Sequence, residues 1–150
     1  MSKIRSIVTA IALASSVSVA SAWEALPTTA PAPADNPTTA EKVELGRTLY
    51  HDPRLSSTGT VSCASCHNTM LGGEDNRPNS MGVHGQTGGR SAPTVWNSAF
   101  NKVQFWDGRA ASLEDQAAGP VTNPIEMGMK NWDDVVVRLK SIDGYGAMFK

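Results

Sequence analysis

Cys63-Ala64-Ser65-Cys66-His67 constrains this chain more than any other stretch, because it contains both cysteines and sets a histidine directly behind the second. In a C-x-x-C-H run the two thiols lie one short helical turn apart and can add to the two vinyl groups of a haem. The adjacent imidazole then faces the iron as proximal ligand. A redox disulfide calls for a thioredoxin-like βαβ setting, which the flanking sequence lacks, and zinc calls for a fourth ligand and a less crowded spacing. The motif reads as attachment of haem c through Cys63 and Cys66, with His67 on the iron. A haem also answers a shortage in the composition. With 150 residues, 40% hydrophobic but only 6% aromatic, the chain is expected to form one domain with a modest core. Apolar porphyrin faces would complete that core, and the apoprotein is expected to be poorly folded.

The first 22 residues have the build of a secretory signal: Lys3 and Arg5 as the basic start, Ile7 to Ala20 as the apolar run, and Ala20-Ser21-Ala22 as an A-x-A cleavage site. The apolar run is diluted by Ser15, Ser16 and Ser18 and is shorter than the roughly 20 residues that span a bilayer. Cleavage after Ala22 and export to the periplasm are the expectation, and that compartment suits c-type haem. Losing Lys3 and Arg5 but no acid takes the net charge from −1 to −3, which gives no support to nucleic-acid binding. Residues 23–39 follow as a Pro/Ala/Thr-rich linker, whose four prolines from Leu26 to Thr39 favour an extended, solvated tether. The haem domain is expected over 40–150.

Thr38 and Glu41 have capping-box spacing, and Val43, Leu45, Gly46, Leu49 and Tyr50 fall at helical intervals behind them, predicting a helix from about Thr39 to His51 with one face turned inward. His51 is read as a partner of the helix dipole rather than a ligand. Gly72 to Ser91 has no periodicity and predicts a long loop, a kind of segment that tends to be functional. It carries His84, a candidate for the haem's other face. Ser112 to Asp115 is a capping box opening a helix that Gly119-Pro120 should close, and Asn131 with Asp134 opens another along Val135, Val136 and Leu139. A last helix is expected to open at Asp143. Nothing reads as a strand, and there is no internal repeat.

Six segments carry a resemblance. Leu45-Gly46-Arg47, Asp52 to Ser56, Val61 to His67, Gly88 to Thr94, Phe105 to Arg109 and Asn123 to Met127 occur in that order. Together they resemble the N-terminal domain of the bacterial di-haem cytochrome c peroxidases, a family that includes MauG-like enzymes. The resemblance implies an all-α, cytochrome c-like haem domain with long loops that holds the peroxidatic haem. It implies that Gln116 and Glu126 stand on the distal side. There Glu126 would take the proton from the inner oxygen of hydrogen peroxide and return it to the leaving outer oxygen, while Gln116 orients the peroxide. Trp106 resembles the family tryptophan that lies between the two haems and relays an electron. Ordinary roles compete with each: core packing for Trp106, a solvated helix position for Gln116, a cap or surface acid for Glu126.

The departures are informative. The family's distal histidine position falls on Val83, with His84 one residue later, and Gly82 and Gly85 would let the loop shift by one. An asparagine that often holds the family's interdomain calcium is replaced by Ser91, which makes calcium doubtful. Members carry a second C-x-x-C-H in a C-terminal domain fed by a small electron-donor protein, a cytochrome c or a cupredoxin. This sequence ends at Lys150 before any such motif, so a truncated product is the expectation, and a homodimer is compatible with the full-length form. Three functions are in play. One is reduction of hydrogen peroxide to water, another is MauG-like oxidation of a protein substrate, and the last is a mono-haem electron carrier with Met81, Met127 or Met129 as sixth ligand.

Overall fold

Helices are set by side chains that cap them, and the protein, seen in a computed structural model that describes residues 24–150, follows those caps closely. The signal reading at Met1–Ala22 lies outside the described residues. Helix α1 spans Ala40–His51 and is capped by Thr39, whose side chain accepts from Lys42 N–H at 3.2 Å. The cap is thus Thr39 and not Thr38, since Thr39 has the extended backbone an N-cap needs. Leu45, Leu49 and Tyr50 are half-buried as expected, but Val43 is 57% exposed and lies off the inward face. His51 is exposed, and its Nδ1 pairs with the Arg47 carbonyl at 3.0 Å, a local contact in the last turn.

The single turn α2, Cys63–Cys66, packs against α1. Helix α3 spans Leu113–Thr122 behind Ser112, which accepts from Asp115 N–H at 3.1 Å, while the Asp115 carboxylate accepts from Ala111 N–H at 3.0 Å. Gly119-Pro120 does not close it. The helix runs through Pro120, and the carbonyls of its final turn are taken by a following turn: Met127 N–H bonds Pro120 O at 3.3 Å and Met129 N–H bonds Val121 O at 2.9 Å. Helix α4, Trp132–Lys140, is capped by Asn131 on Asp134 as predicted, with Val135 buried, Leu139 half-buried, and Val136 left 43% exposed. The short α5 spans Tyr145–Met148 and packs against α4, its N-cap being Gly144.

Among the described residues there is no strand, only three isolated bridges that pinch loops: Asn68 with Glu74, Met81 with Thr87 and Gln104 with Ala110. The predicted 72–91 loop is therefore a folded hairpin of turns rather than slack chain. No helix among those residues is long and apolar enough to cross a membrane. Leu55, Val121, Met127, Met129 and Val135 form the core, with Leu49, Val61 and Leu139 packed against it. Asn36, in the tether, is held in place: its amide donates to Glu114 Oε1 at 2.9 Å and its Oδ1 accepts from Lys42 Nζ at 2.8 Å.

Candidate active site

The attachment turn is locked before any cofactor is considered. Ser62 N–H donates to Ser65 Oγ at 3.0 Å at its start, and His67 N–H closes it on the Cys63 carbonyl at 2.9 Å. From α1, the Tyr50 hydroxyl donates to the His67 carbonyl. His67 Nδ1 lies 3.0 Å from the Pro93 carbonyl. A carbonyl only accepts, so Nδ1 carries the proton and Nε2 keeps its lone pair, which is the tautomer and the orientation a metal-ligating imidazole needs.

Cys63 and Cys66 are unpaired and half-buried. Burial pushes both thiols up, and at Cys66 the Asp75 and Glu126 carboxylates add to the effect. Burial therefore favours the neutral thiol at both positions. Among the described residues no group of three or more His, Cys, Asp and Glu stands together to hold a bare metal ion. Two neutral thiols one turn apart, followed by an imidazole with a free Nε2, fit haem attachment. Burial likewise pushes the Tyr50 hydroxyl up to about 12, so it stays a donor.

Glu126 stands beside this turn. It is half-buried, and Asn123 Nδ2 donates to its Oε1 at 2.9 Å. Burial lifts its carboxyl above the usual range, while the Arg109 guanidinium pulls the other way. Arg109 is itself fixed, with Nη1 at 2.8 and 2.9 Å from the two Asp107 oxygens and its guanidinium 3.5 Å over the Phe105 ring. Gln116 is half-buried on α3, one element before Glu126, and makes no side-chain hydrogen bond among the described residues. Trp106 is 62% exposed, which removes the core-packing role, and its Nε1 donates to Ser91 O at 2.9 Å.

His84 sits at the tip of the Val83–Gly85 turn with φ 57°, a left-handed backbone that a non-glycine residue rarely holds. It is exposed and helps line a cleft of about 630 Å³ together with Val61, Ser65, Asn68 and Met81, residues within and around the attachment turn. The cleft walls do not include the thiols or the His67 ring. Val83 is the anchor of the turn, 1% exposed, its N–H bonded to the Glu126 carbonyl at 2.9 Å. Sequence reasoning missed Tyr50, Pro93 and Asn123 as parts of the site. Pro93 and Asn123 lie inside quoted segments, and Tyr50 was placed on the inward face of the first helix, but none of these positions by itself pointed to a contact with His67 or Glu126.

Fold and site together define an all-helical haem-attachment domain of the cytochrome c type. A family model described as di-haem cytochrome c peroxidase matches residues 40–150. The chain belongs to the di-haem cytochrome c peroxidase family. It is 57% identical over 110 residues to the cytochrome c peroxidase Ccp of Escherichia coli K12, covering 73% of this chain and 24% of that protein. It is 48% identical over 124 residues to the methylamine utilization protein MauG of Methylorubrum extorquens, covering 83% and 35%. Among solved structures, a MauG-like protein associated with microbial copper homeostasis aligns with a TM-score of 0.74 at 36% identity, over 85% of this chain and 39% of that one. The chain thus spans between a quarter and two-fifths of the length of these relatives.

Proposed function

We propose that the chain is the peroxidatic haem portion of a periplasmic cytochrome c peroxidase, which reduces hydrogen peroxide to water with electrons from a small redox protein, a cytochrome c or a cupredoxin. The observation that carries this reading is the Glu126 carboxyl: half-buried, lifted by burial, held by Asn123, and joined to the attachment turn through the Met81–Val83 segment, where Val83 N–H bonds the Glu126 carbonyl at 2.9 Å and Cys66 Sγ lies 3.7 Å from the Met81 carbonyl. Cys63, Cys66 and His67 would hold the haem, which would supply the redox chemistry for cleavage of the O–O bond. The carboxyl supplies the proton traffic. Glu126 accepts the proton of the inner peroxide oxygen and delivers it to the outer oxygen, which leaves as water rather than hydroxide. Two electrons and two further protons complete the second water. A carboxyl that burial raises above the usual carboxylate range suits both halves of that transfer. Gln116, on the helix leading to Glu126, orients the peroxide, and the exposed Trp106 ring offers an electron path to a second redox centre.

His84 would be the candidate to hold the haem's other face at rest, and it would have to leave that face before peroxide binds. A strained left-handed residue between two glycines is the kind of outlier that persists at functional turns, and it is placed beside residues flanking the attachment turn. Met127 and Met129 are 3% and 5% exposed in the core cluster, where packing accounts for them without ligation. MauG-like oxidation of a protein substrate is the second reading, favoured by the 48% identity to MauG. The test is turnover by the haem-loaded protein. Peroxide should be consumed as a reduced small cytochrome or cupredoxin is oxidised, two electrons per peroxide. Electron exchange with that donor but no peroxide consumption in any redox state would hand the function to an electron carrier.

A further inference from the structure

Glu126 is held from two sides. Its carbonyl accepts from Val83 N–H at 2.9 Å, and its carboxylate accepts from Asn123. Among the described residues Asn123 is the only side chain that hydrogen-bonds this carboxylate. Asn123 is also among the most fully engaged residues in the segment. Its N–H donates to the carbonyls of Gly119 at 3.1 Å and Pro120 at 3.3 Å, and its own carbonyl accepts from Glu126 N–H at 3.1 Å and Gly128 N–H at 2.8 Å. Its Oδ1 accepts from Ile125 N–H at 3.0 Å, and Nδ2 reaches Glu126 Oε1 at 2.9 Å. The two ends of the amide cannot be exchanged, because a flip would set oxygen against a carboxylate and nitrogen against an N–H. The turn that carries the residue is equally fixed. At Gly128, with φ 70°, an added Cβ would lie 2.7 Å from Ser57 Oγ and 2.9 Å from Val83 Cγ2.

We infer that Asn123 is a positioning residue for peroxide chemistry, its Nδ2 fixing the Glu126 carboxylate at Oε1 so that the free oxygen, Oε2, is the one presented to the proton in transit; this rests on the acid–base reading of Glu126. A freely rotating carboxylate would reach the peroxide in only a fraction of its rotamers. A second-sphere hydrogen bond of this kind sets geometry at no cost when the reaction occurs. The amide is neutral, so it orients the carboxylate without the strong lowering of pKa that a bonded cation would impose.

Two substitutions separate positioning from mere support of the turn. Asn123→Asp keeps the oxygen that accepts from Ile125 N–H and replaces the donor with a second, charged oxygen that repels the Glu126 carboxylate. Asn123→Ser keeps a shorter acceptor for the turn and cannot reach Glu126. Each is compared with wild type and Glu126→Gln, all haem-loaded. The readouts are stopped-flow reaction with hydrogen peroxide and the infrared signature of the Glu126 carboxyl at one fixed pH, assigned by its loss in Glu126→Gln. Both Asn123 variants should lose roughly tenfold to a hundredfold in peroxide rate and shift that signature, with no further loss in the Glu126→Gln background. An unaltered rate, a rate loss without a shifted signature, or a loss that persists in that background overturns the inference and leaves the reading of Glu126 standing. A Glu126→Gln protein that reacts like wild type overturns both.

Discussion

Asp52 shows how one side chain ties distant parts of the chain together. Its Oδ2 accepts from Arg54 Nη2 and from the Tyr145 hydroxyl, each at 2.7 Å, and its Oδ1 accepts from Arg54 N–H at 2.9 Å. Asp52 is 6% exposed and Tyr145 3%. The Arg54 guanidinium, and then the Tyr145 hydroxyl, hold the carboxyl at about 2 against the opposing effect of burial. The folded value lies below the unfolded one, so the stabilisation is fully present above about pH 4 and is lost as pH falls through about 2. Asp52→Asn should therefore cost about 2 kcal/mol at neutral pH, and urea midpoints of mutant and wild type should converge on acidification over that window. A constant gap would show that Asp52 acts by shape rather than charge. His84 raises a question of ligation at the same scale. If it ligates, the oxidised protein gives a low-spin bis-histidine spectrum that becomes high-spin in His84→Gly, and an unaltered spectrum removes His84 from the iron.

At the scale of elements, the turn bearing His84 and the segment bearing Glu126 are built against each other. An added Cβ at Gly82 would lie 1.9 Å from Ile125 O and 2.5 Å from Glu126 O, both backbone atoms that cannot swing aside, whereas at Gly85 it would meet nothing within 4 Å. Gly82→Ala should cost about 3 kcal/mol, the upper range for overpacking, and Gly85→Ala only about 1 kcal/mol for its left-handed backbone. Equal urea midpoints for the two would show that the turns are not in contact. The helix starts at Ser112 and Asn131 were legible because capping is a conversation between residues three apart. Two adjacent threonines left the start of α1 ambiguous by one position. The passage of α3 through Pro120 was not legible, because it depends on Met127 and Met129 returning to take the last carbonyls. The short helical turn at Cys63–Cys66 was plain from five residues, while the roles proposed for Glu126, Gln116 and Trp106 rest on resemblance. The contacts that tune the site were hidden, since Tyr50 meets His67 across 17 residues and His67 meets Pro93 across 26, separations at which no periodicity speaks.

At the scale of the whole molecule, the protein interior is thin. Among the described residues the buried apolar side chains include no phenylalanine or tryptophan, while Trp96, Trp106 and Met81 remain 59%, 62% and 46% exposed. An apolar macrocycle beside Cys63 and Cys66 would enlarge that interior considerably. Haem should survive acid-acetone extraction, Cys63→Ala should retain at most one thioether, and protein made without haem should melt without a cooperative transition. Complete release of haem from the wild type would contradict covalent attachment. Peroxide turnover through a carboxyl acid–base group is what we propose for this domain, and Glu126→Gln is its sharpest test. The substitution keeps size and hydrogen bonding but removes the base. Stopped-flow mixing of the haem-loaded protein, in its peroxide-accessible state, with hydrogen peroxide should show a loss of about 10² to 10⁴ in rate, with haem content and electron exchange with small donors unaltered. A mutant within about threefold of wild type, far below what a positioned acid–base group supplies, would remove Glu126 from the chemistry.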